Sequence, residues 1–260
     1  MKVSYFPGCT LKNKAKDLDL YAYKSAEALG VTLEEIENWQ CCGGVFTTAK
    51  NEVATKLSSV RALKEAFSKE QPLVTVCSAC HNVIKQTNYA MQNDKDFSDT
   101  VNRYMAQDGG YMGEAEVYHY LEMLRDLVGF DTLKEKVVNP LKGKKIAAYY
   151  GCLLLRPNGV MKMDDPENPS IMENFIKALG AEPIVYAMRN ECCGGYVSVE
   201  NKKLAQKKVD AIISSAMDKG AEMIITACPL CMYNLDANAT EHKLPIVYFT
   251  ELLAEALGVK

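Results

Sequence analysis

No Gly-x-Gly-x-x-Gly follows an apolar run in this sequence, and no glycine-rich loop closes on Lys-Ser or Lys-Thr. Neither a dinucleotide-binding turn nor a phosphate loop is signalled, so the chain is expected to hold no flavin and no nicotinamide of its own. A basic excess is missing too: 30 Lys and Arg face 33 Asp and Glu, for a net charge of −3. Without a cationic stripe for a phosphate backbone, nucleic acid is not expected as a partner. No stretch approaches the roughly 18 consecutive apolar residues of a membrane helix, so no direct membrane span is expected. The opening residues also lack the basic, apolar and small-residue order of a signal peptide, and the expected location is cytoplasmic.

What is abundant is cysteine, ten residues in a chain of 260. In a reducing compartment a five-disulfide framework is not expected, and with 48% hydrophobic residues the chain has enough apolar material to fold without staples. Metal binding is the leading explanation.

The cysteines fall into a repeat. Lys2-Val3-Ser4-Tyr5-Phe6-Pro7-Gly8-Cys9 aligns with Lys145-Ile146-Ala147-Ala148-Tyr149-Tyr150-Gly151-Cys152. Further on, Ala28-Leu29-Gly30 aligns with Ala178-Leu179-Gly180, Cys41-Cys42-Gly43-Gly44 with Cys192-Cys193-Gly194-Gly195, and Cys77-Ser78-Ala79-Cys80 with Cys228-Pro229-Leu230-Cys231. Each copy therefore has one Cys, then 31 or 39 residues, a Cys-Cys pair, 34 residues and a Cys-x-x-Cys, with none left over. Such self-similarity points to a duplicated structural unit.

Periodicity predicts the scaffold. Val3–Phe6, Leu73–Val76, Ile146–Tyr150, Pro183–Tyr186 and Met223–Thr226 are short apolar runs that read as buried strands. Leu18, Ala22, Ala26 and Leu29 recur at helical spacing. So do Val53, Leu57, Val60, Leu63 and Phe67 in the first copy and Ala205, Val209, Ile212 and Ala216 in the second. Ser170 and Glu173 have capping-box spacing for a helix ending near Gly180. The fold class expected is α/β, two pseudo-twofold related Rossmann-like domains with small parallel sheets flanked by helices. Residues 1–140 and 141–260 form the two, with the boundary in Pro140–Lys145. Helices in 82–140 have no full counterpart and are expected to pack across or link the halves. Cys9, Cys77, Cys152 and Cys228 fall just past strand C-termini, and each Cys-Cys-Gly-Gly falls in a loop before a helix. Open α/β sheets place ligands at that edge.

Three chemistries compete for the sulfurs. Zinc takes four ligands, while each set offers five. A thioredoxin-like dithiol suits both Cys77-Ser-Ala-Cys80 and Cys228-Pro-Leu-Cys231 but leaves six cysteines unused. Iron–sulfur ligation suits the spacings, and glycine beside a Cys-Cys pair lets backbone N–H groups approach sulfur; a cubane would still use only four.

The two Cys-Cys-Gly units, Phe6-Pro7-Gly8-Cys9-Thr10, Gly151-Cys152 with Arg156-Pro157, and Asp165-Pro166-Glu167-Asn168-Pro169 together resemble the B-type subunit of heterodisulfide reductase over almost the whole chain. With Gly43-Gly44-Val45 after the first pair, the likeness is to bacterial-type members of that duplicated Cys-Cys-Gly family. The resemblance implies two noncubane [4Fe–4S] clusters. Cys9, Cys41, Cys42, Cys77 and Cys80 would bind one, and Cys152, Cys192, Cys193, Cys228 and Cys231 the other. It further implies a disulfide or thiol substrate between them, with electrons from a small C-type partner carrying cubane clusters and from an A-type partner containing flavin. The clusters themselves would be the catalysts, acting within a multisubunit complex in an anaerobic setting. A competing expectation is an electron-relay role in a lactate, glycolate or glycerol-phosphate oxidising complex.

His81, directly after Cys80, and His119 are the candidate proton donors, each weighed against ordinary hydrogen bonding or packing. His119 lies in Val117–Leu124, which echoes Val247–Leu253, so both segments are expected to form strand-to-helix junctions. His242 is expected at the surface. Arg156 and Lys12 are weighed as anion-attracting groups against solvated side chains.

Overall fold

The computed structural model describes residues 1–44 and 52–260. In the first half, β1 (Lys2–Phe6), α1 (Cys9–Asn13), α2 (Lys16–Ala28), β2 (Thr32–Glu35), α3 (Glu52–Ser68), β3 (Leu73–Thr75), α4 (Ser78–Asn93), α5 (Lys95–Tyr104) and β4 (Val117–His119) follow in order. Next, α6 (Tyr120–Glu122) runs into a π-helical turn, Met123–Val128, and α7 (Phe130–Lys136). The second half contains β5 (Lys145–Tyr149), α8 (Asn158–Met161), α9 (Ile171–Ala178), β6 (Glu182–Ile184), α10 (Lys202–Met217), β7 (Met223–Thr226), α11 (Pro229–Asn238), β8 (Ile246–Tyr248) and α12 (Phe249–Ala256).

Both sheets are wholly parallel and share one topology, β2-β1-β3-β4 and β6-β5-β7-β8. The duplication in sequence is thus a duplication in fold. Strands covered by helices on both faces are buried throughout: β1 and β5 bury every residue after the first lysine. The edge strand β2 carries no apolar run, which is why periodicity does not reveal it; only Leu33 is buried.

The helical stripes behave as their spacing predicts, with two differences. Phe67, at the end of α3, is 47% exposed, and Ala62 and Ala66 join Val60 and Leu63 in the core instead. Ser170 and Glu173 do not form a capping box. The amides of Ser170 and Ile171 donate to Asp164 Oδ2 at 2.6 and 2.7 Å. Glu173 turns inward, between the Tyr150 hydroxyl and Arg189.

The halves exchange support. Helix α12 packs on α2 of the first half, while α6 and α7 pack on α9 of the second, and α4 meets α8. Most of the unmatched 82–140 segment therefore joins the halves, whereas α5 stays with α3 and α4. Val138 and Asn139 amides bond Ala256 O, and Leu141 N bonds Leu179 O, tying the connecting strand to the second half. One continuous apolar core runs from Val3 through Phe175 to Leu257.

Candidate metal centre

The strand-edge placement of the cysteines is realised in both halves. Cys77 and Cys228 immediately precede α4 and α11 as their N-cap residues, and Cys80 and Cys231 lie one turn in. Cys9 opens α1, and Cys152 follows β5. Cys42, Cys77, Cys80, Cys193, Cys228 and Cys231 are buried, Cys152 and Cys192 are half-buried, and Cys9 and Cys41 are exposed.

The sulfurs touch in pairs. Cys42 and Cys80 Sγ are 3.2 Å apart, Cys193 and Cys231 3.5 Å, and Cys41 and Cys9 3.8 Å. Each Cys-Cys pair has the same backbone arrangement. Gly194 donates N–H to Cys192 Sγ at 3.4 Å, and the amides of Gly43, Gly44 and Gly195 favour the thiolates of Cys41, Cys42 and Cys193 in the same way. The Cys-Cys-Gly-Gly motif is therefore two overlapping i to i+2 N–H···S turns, and the φ of +79° at Gly43 and Gly194 is what a β-carbon would resist.

Glycine is also required where sulfur approaches the loop after the first strand of each unit. A β-carbon on Gly8, at φ +78°, would lie 2.9 Å from Cys80 Sγ, and one on Gly151 3.3 Å from Cys231 Sγ. Gly8→Ala is expected to cost about 1–3 kcal/mol through left-handed strain and displaced sulfur. A lowered melting temperature together with less metal bound to the first set is the measured outcome.

Hydrogen bonding between thiols splits their acidities. The bond with Cys152 draws the Cys192 thiol down to about 6, against burial and with help from Gly194 N–H and Lys208. The same contact raises Cys152. Cys80 likewise lowers Cys42, and Cys231 lowers Cys193. The two sets also act on each other across the halves: Cys231 and then Cys77 lower the Cys228 thiol, and Cys228 raises Cys77.

Several residues hold that junction closed. Ser78 donates through both its amide, 3.1 Å, and its hydroxyl, 2.8 Å, to Ala227 O, just before Cys228. His119 and Tyr248 end β4 and β8 at equivalent positions, as the paired strand-to-helix junctions require. Tyr248 donates to both Val76 O (2.6 Å) and Ala227 O (3.0 Å). His119 Nε2 lies 3.2 Å from Val76 O, while its Nδ1 accepts from Leu121 N–H. That pattern fixes the Nε2–H tautomer. Burial and then neighbouring His81 push the His119 pKa down to about 3, so it is neutral and positions the strand ends that carry Cys77 and Cys228.

His81 is wholly buried, facing Glu122 at 3.1 Å and His119 ring to ring at 5.5 Å. The Glu122 approach is an electrostatic contact rather than an aligned hydrogen bond. His242 lies half-buried near Asp210. Lys12 and Arg156 are both committed to partners within the chain. Lys12 pairs with Glu35 (2.7 Å) and Asp19 (2.9 Å), and Arg156 binds Asn190 O, Pro166 O and Glu167. The Asp-Pro-Glu-Asn-Pro stretch is thus the dock for Arg156 and for Asn190, which donates to Pro166 O at 2.8 Å.

Periodicity does not reveal Tyr196 and Asn82. Tyr196 donates to Gly44 O at 2.7 Å, bridging one Cys-Cys-Gly-Gly loop to the other, and the sulfurs of Cys228, Cys42, Cys152 and Cys77 all act on its phenol. Its only sequence signal is an aromatic directly after Gly195. Asn82 donates to Leu153 O and Arg156 O, sealing the loop after Cys152 against α4.

A family model described as "CCG: Cysteine-rich domain" matches residues 3–85 and again 146–236. Among curated proteins, the 8-methylmenaquinol:fumarate reductase membrane anchor subunit of Wolinella succinogenes is 31% identical, across 98% of this chain and 92% of its own. The B-type subunit of the ferredoxin:CoB-CoM heterodisulfide reductase of Methanosarcina mazei is 26% identical, across 99% of this chain and 89% of its own. A crystal structure of a hypothetical protein from Helicobacter pylori superposes on all of this chain with a TM-score of 0.77 at 12% identity, with the chain spanning about half (49%) of that protein. That likeness establishes the shared fold.

Proposed function

This chain belongs to the cysteine-rich domain family, and from that premise we propose that it is the catalytic iron–sulfur subunit of a heterodisulfide-reductase-like complex. On this reading Cys9, Cys41, Cys42, Cys77 and Cys80 hold one [4Fe–4S] cluster, and Cys152, Cys192, Cys193, Cys228 and Cys231 hold a second. Both are of the noncubane type, for which a fifth thiolate per set is required. The observation that carries the reading is the junction of the two sets, where Tyr248 donates to Val76 O at 2.6 Å and to Ala227 O at 3.0 Å, the residues just before Cys77 and Cys228. Two sites of one-electron chemistry side by side suit the two-electron reduction of a disulfide.

The clusters, when bound, would supply single electrons and iron sites for sulfur. The chain's own part is to shape the site. The four glycine amides of the Cys-Cys-Gly-Gly loops favour the ligand thiolates, which stabilises added negative charge. Ser78, His119 and Tyr248 tie the two strand ends that carry Cys77 and Cys228 to each other. Among the described residues no helix is long and apolar enough to cross a membrane. Electrons would come from a small partner with cubane clusters and from a flavin-containing one.

A second reading rests on the relative from Wolinella succinogenes, whose name places it in a quinol-linked fumarate reductase. There the same centre would relay electrons without binding a disulfide. Anaerobic purification with iron and sulfide analysis, followed by titration with thiols under oxidising conditions, separates the two. Roughly eight irons per chain and a thiol-dependent paramagnetic signal are expected, four irons to each cluster. The same iron load with no thiol response would favour the relay. Stoichiometric zinc without acid-labile sulfide would overturn both.

A further inference from the structure

The duplicated units differ sharply in charge beside their Cys-Cys-Gly-Gly loops. Because 34 residues separate the pair from the Cys-x-x-Cys in both halves, positions on α3 and α10 correspond one to one. Lys202, Lys203, Leu204, Lys207 and Lys208 of the second half answer to Asn51, Glu52, Val53, Lys56 and Leu57 of the first. Across residues 194–208 four lysines and one glutamate stand against two lysines and one glutamate across residues 43–57, and Lys56 lies over the Phe97 ring at 5.6 Å.

The basic residues form a surface. Ala205, Val209, Ile212, Ile213 and Ala216 bury one side of α10, leaving Lys203, Leu204 and Lys207 exposed on the other. Lys202 is exposed at the helix start, and Lys202, Lys203, Lys207 and Lys208 have no ion-pair partner among the described residues. Apolar groups crown the patch: Val199 is 88% exposed, Leu204 42% and Tyr196 39%. The patch reaches the sulfurs directly. The Lys208 stem lies where a Gly194 β-carbon would be 3.1 Å away, and its charge acts on Cys192.

We propose that this face, built by Tyr196, Val199, Lys202, Lys203, Leu204 and Lys207, docks an acidic protein that carries a one-electron iron–sulfur centre, so that electrons enter through the second five-cysteine set. The inference rests on the function proposed above and adds the point of entry. Charge complementarity selects the occupant. The chain as a whole carries −3, so an acidic carrier is drawn to the unpaired lysines at the start of α10. The exposed Val199 and Leu204 supply the apolar centre that a short-lived redox contact needs inside a charged rim. In the exchange, the reduced carrier gives up one electron and is oxidised by one unit, the cluster of the second set is reduced by one unit, and no bond or proton is transferred.

The test uses an acidic bacterial ferredoxin with two [4Fe–4S] clusters as probe. Its Kd for the full chain is measured by calorimetry at low and at high salt, alongside iron and sulfide content. The triple variant Lys202→Glu, Lys203→Glu, Lys207→Glu is expected to weaken binding by about 30-fold or more, and added salt to weaken the wild type. A control with the same charge change, Lys134→Glu, Lys136→Glu, Lys142→Glu, is expected to shift Kd by less than about 3-fold. Those lysines are exposed on α7 and on the connection into β5. Unchanged binding by the patch variant, equal weakening by the control, or no binding by the wild type overturns the proposal. A chain that binds ferredoxin through the patch yet carries no iron would instead overturn the function on which it rests.

Discussion

Cys193→Ser is expected to halve the iron and sulfide of the purified chain and to abolish the disulfide reduction proposed above, while the first set stays loaded. Cys193 is 5% exposed, its sulfur is 3.5 Å from Cys231, its thiolate is favoured by the Gly195 amide, and its carbonyl accepts from Asn234 at 2.7 Å. Serine preserves that shape but not the chemistry, because a hydroxyl does not supply the soft thiolate that iron–sulfur clusters bind. The backbone that arranges Cys9, Cys41, Cys42, Cys77 and Cys80 is built by its own sheet and loop and does not depend on the Cys193 sulfur. Catalysis, by contrast, would need both sets, since a two-electron step is divided between two one-electron sites. Iron and sulfide assays with paramagnetic spectra decide the matter. Full retention of both would refute the assignment of Cys193, and loss of all iron would mean that the sets load as one unit through Cys77 and Cys228.

Glu122→Gln is expected to destabilise the protein by about 3 kcal/mol, since it leaves the half-buried Lys85 ammonium without its counter-charge. Glu122 is 4% exposed, accepts the His119 amide at 2.7 Å and pairs with Lys85 at 3.0 Å. Burial would raise its pKa, but His81, Lys85 and the His119 N–H together pull it down to about 2. His81 is itself driven toward the neutral form by burial, so at neutral pH Lys85 is the cation that keeps Glu122 ionised. The native value lies below that of an unfolded glutamate, near 4.3. The stabilisation is therefore complete above that value and is lost as pH falls from about 4.5 toward 2. Denaturation of the wild type and Glu122→Gln should show a gap of about 3 kcal/mol at pH 7, from roughly two and a half pKa units, that narrows as the solution is acidified below about 4.5. The difference between the two proteins carries the test, because acid lability of any bound cluster is common to both. A gap independent of pH would show that packing, not charge, makes Glu122 necessary.

The repeat was legible because its landmarks are chemical. A Cys-Cys-Gly-Gly pair or a Cys-x-x-Cys is specific at any depth in the fold, and the short apolar runs before them can only be strands buried on both faces. Polar residues were less legible. Arg156 and Lys12 look like free cations beside the cysteines, yet Pro166, Glu167 and Asn190 enclose one, and Asp19 and Glu35 the other. His119 looks like a candidate proton donor, yet both ring nitrogens are engaged by backbone.

From the sequence alone followed two α/β units, five cysteines in each, and glycines where sulfur meets backbone, because local spacing and residue chemistry suffice for all three. Tertiary structure alone decided that the sets share one junction. Cys77 and Cys228 lie far apart along the chain and meet only because Ser78 and Tyr248 bond to Ala227 O, with His119 and Tyr248 both at Val76 O. Such contacts depend on how two separately built sheets dock. No periodicity in either half encodes that docking; it is set by the summed packing of α12 on α2, and of α6 and α7 on α9, at a distance from the sulfurs it aligns.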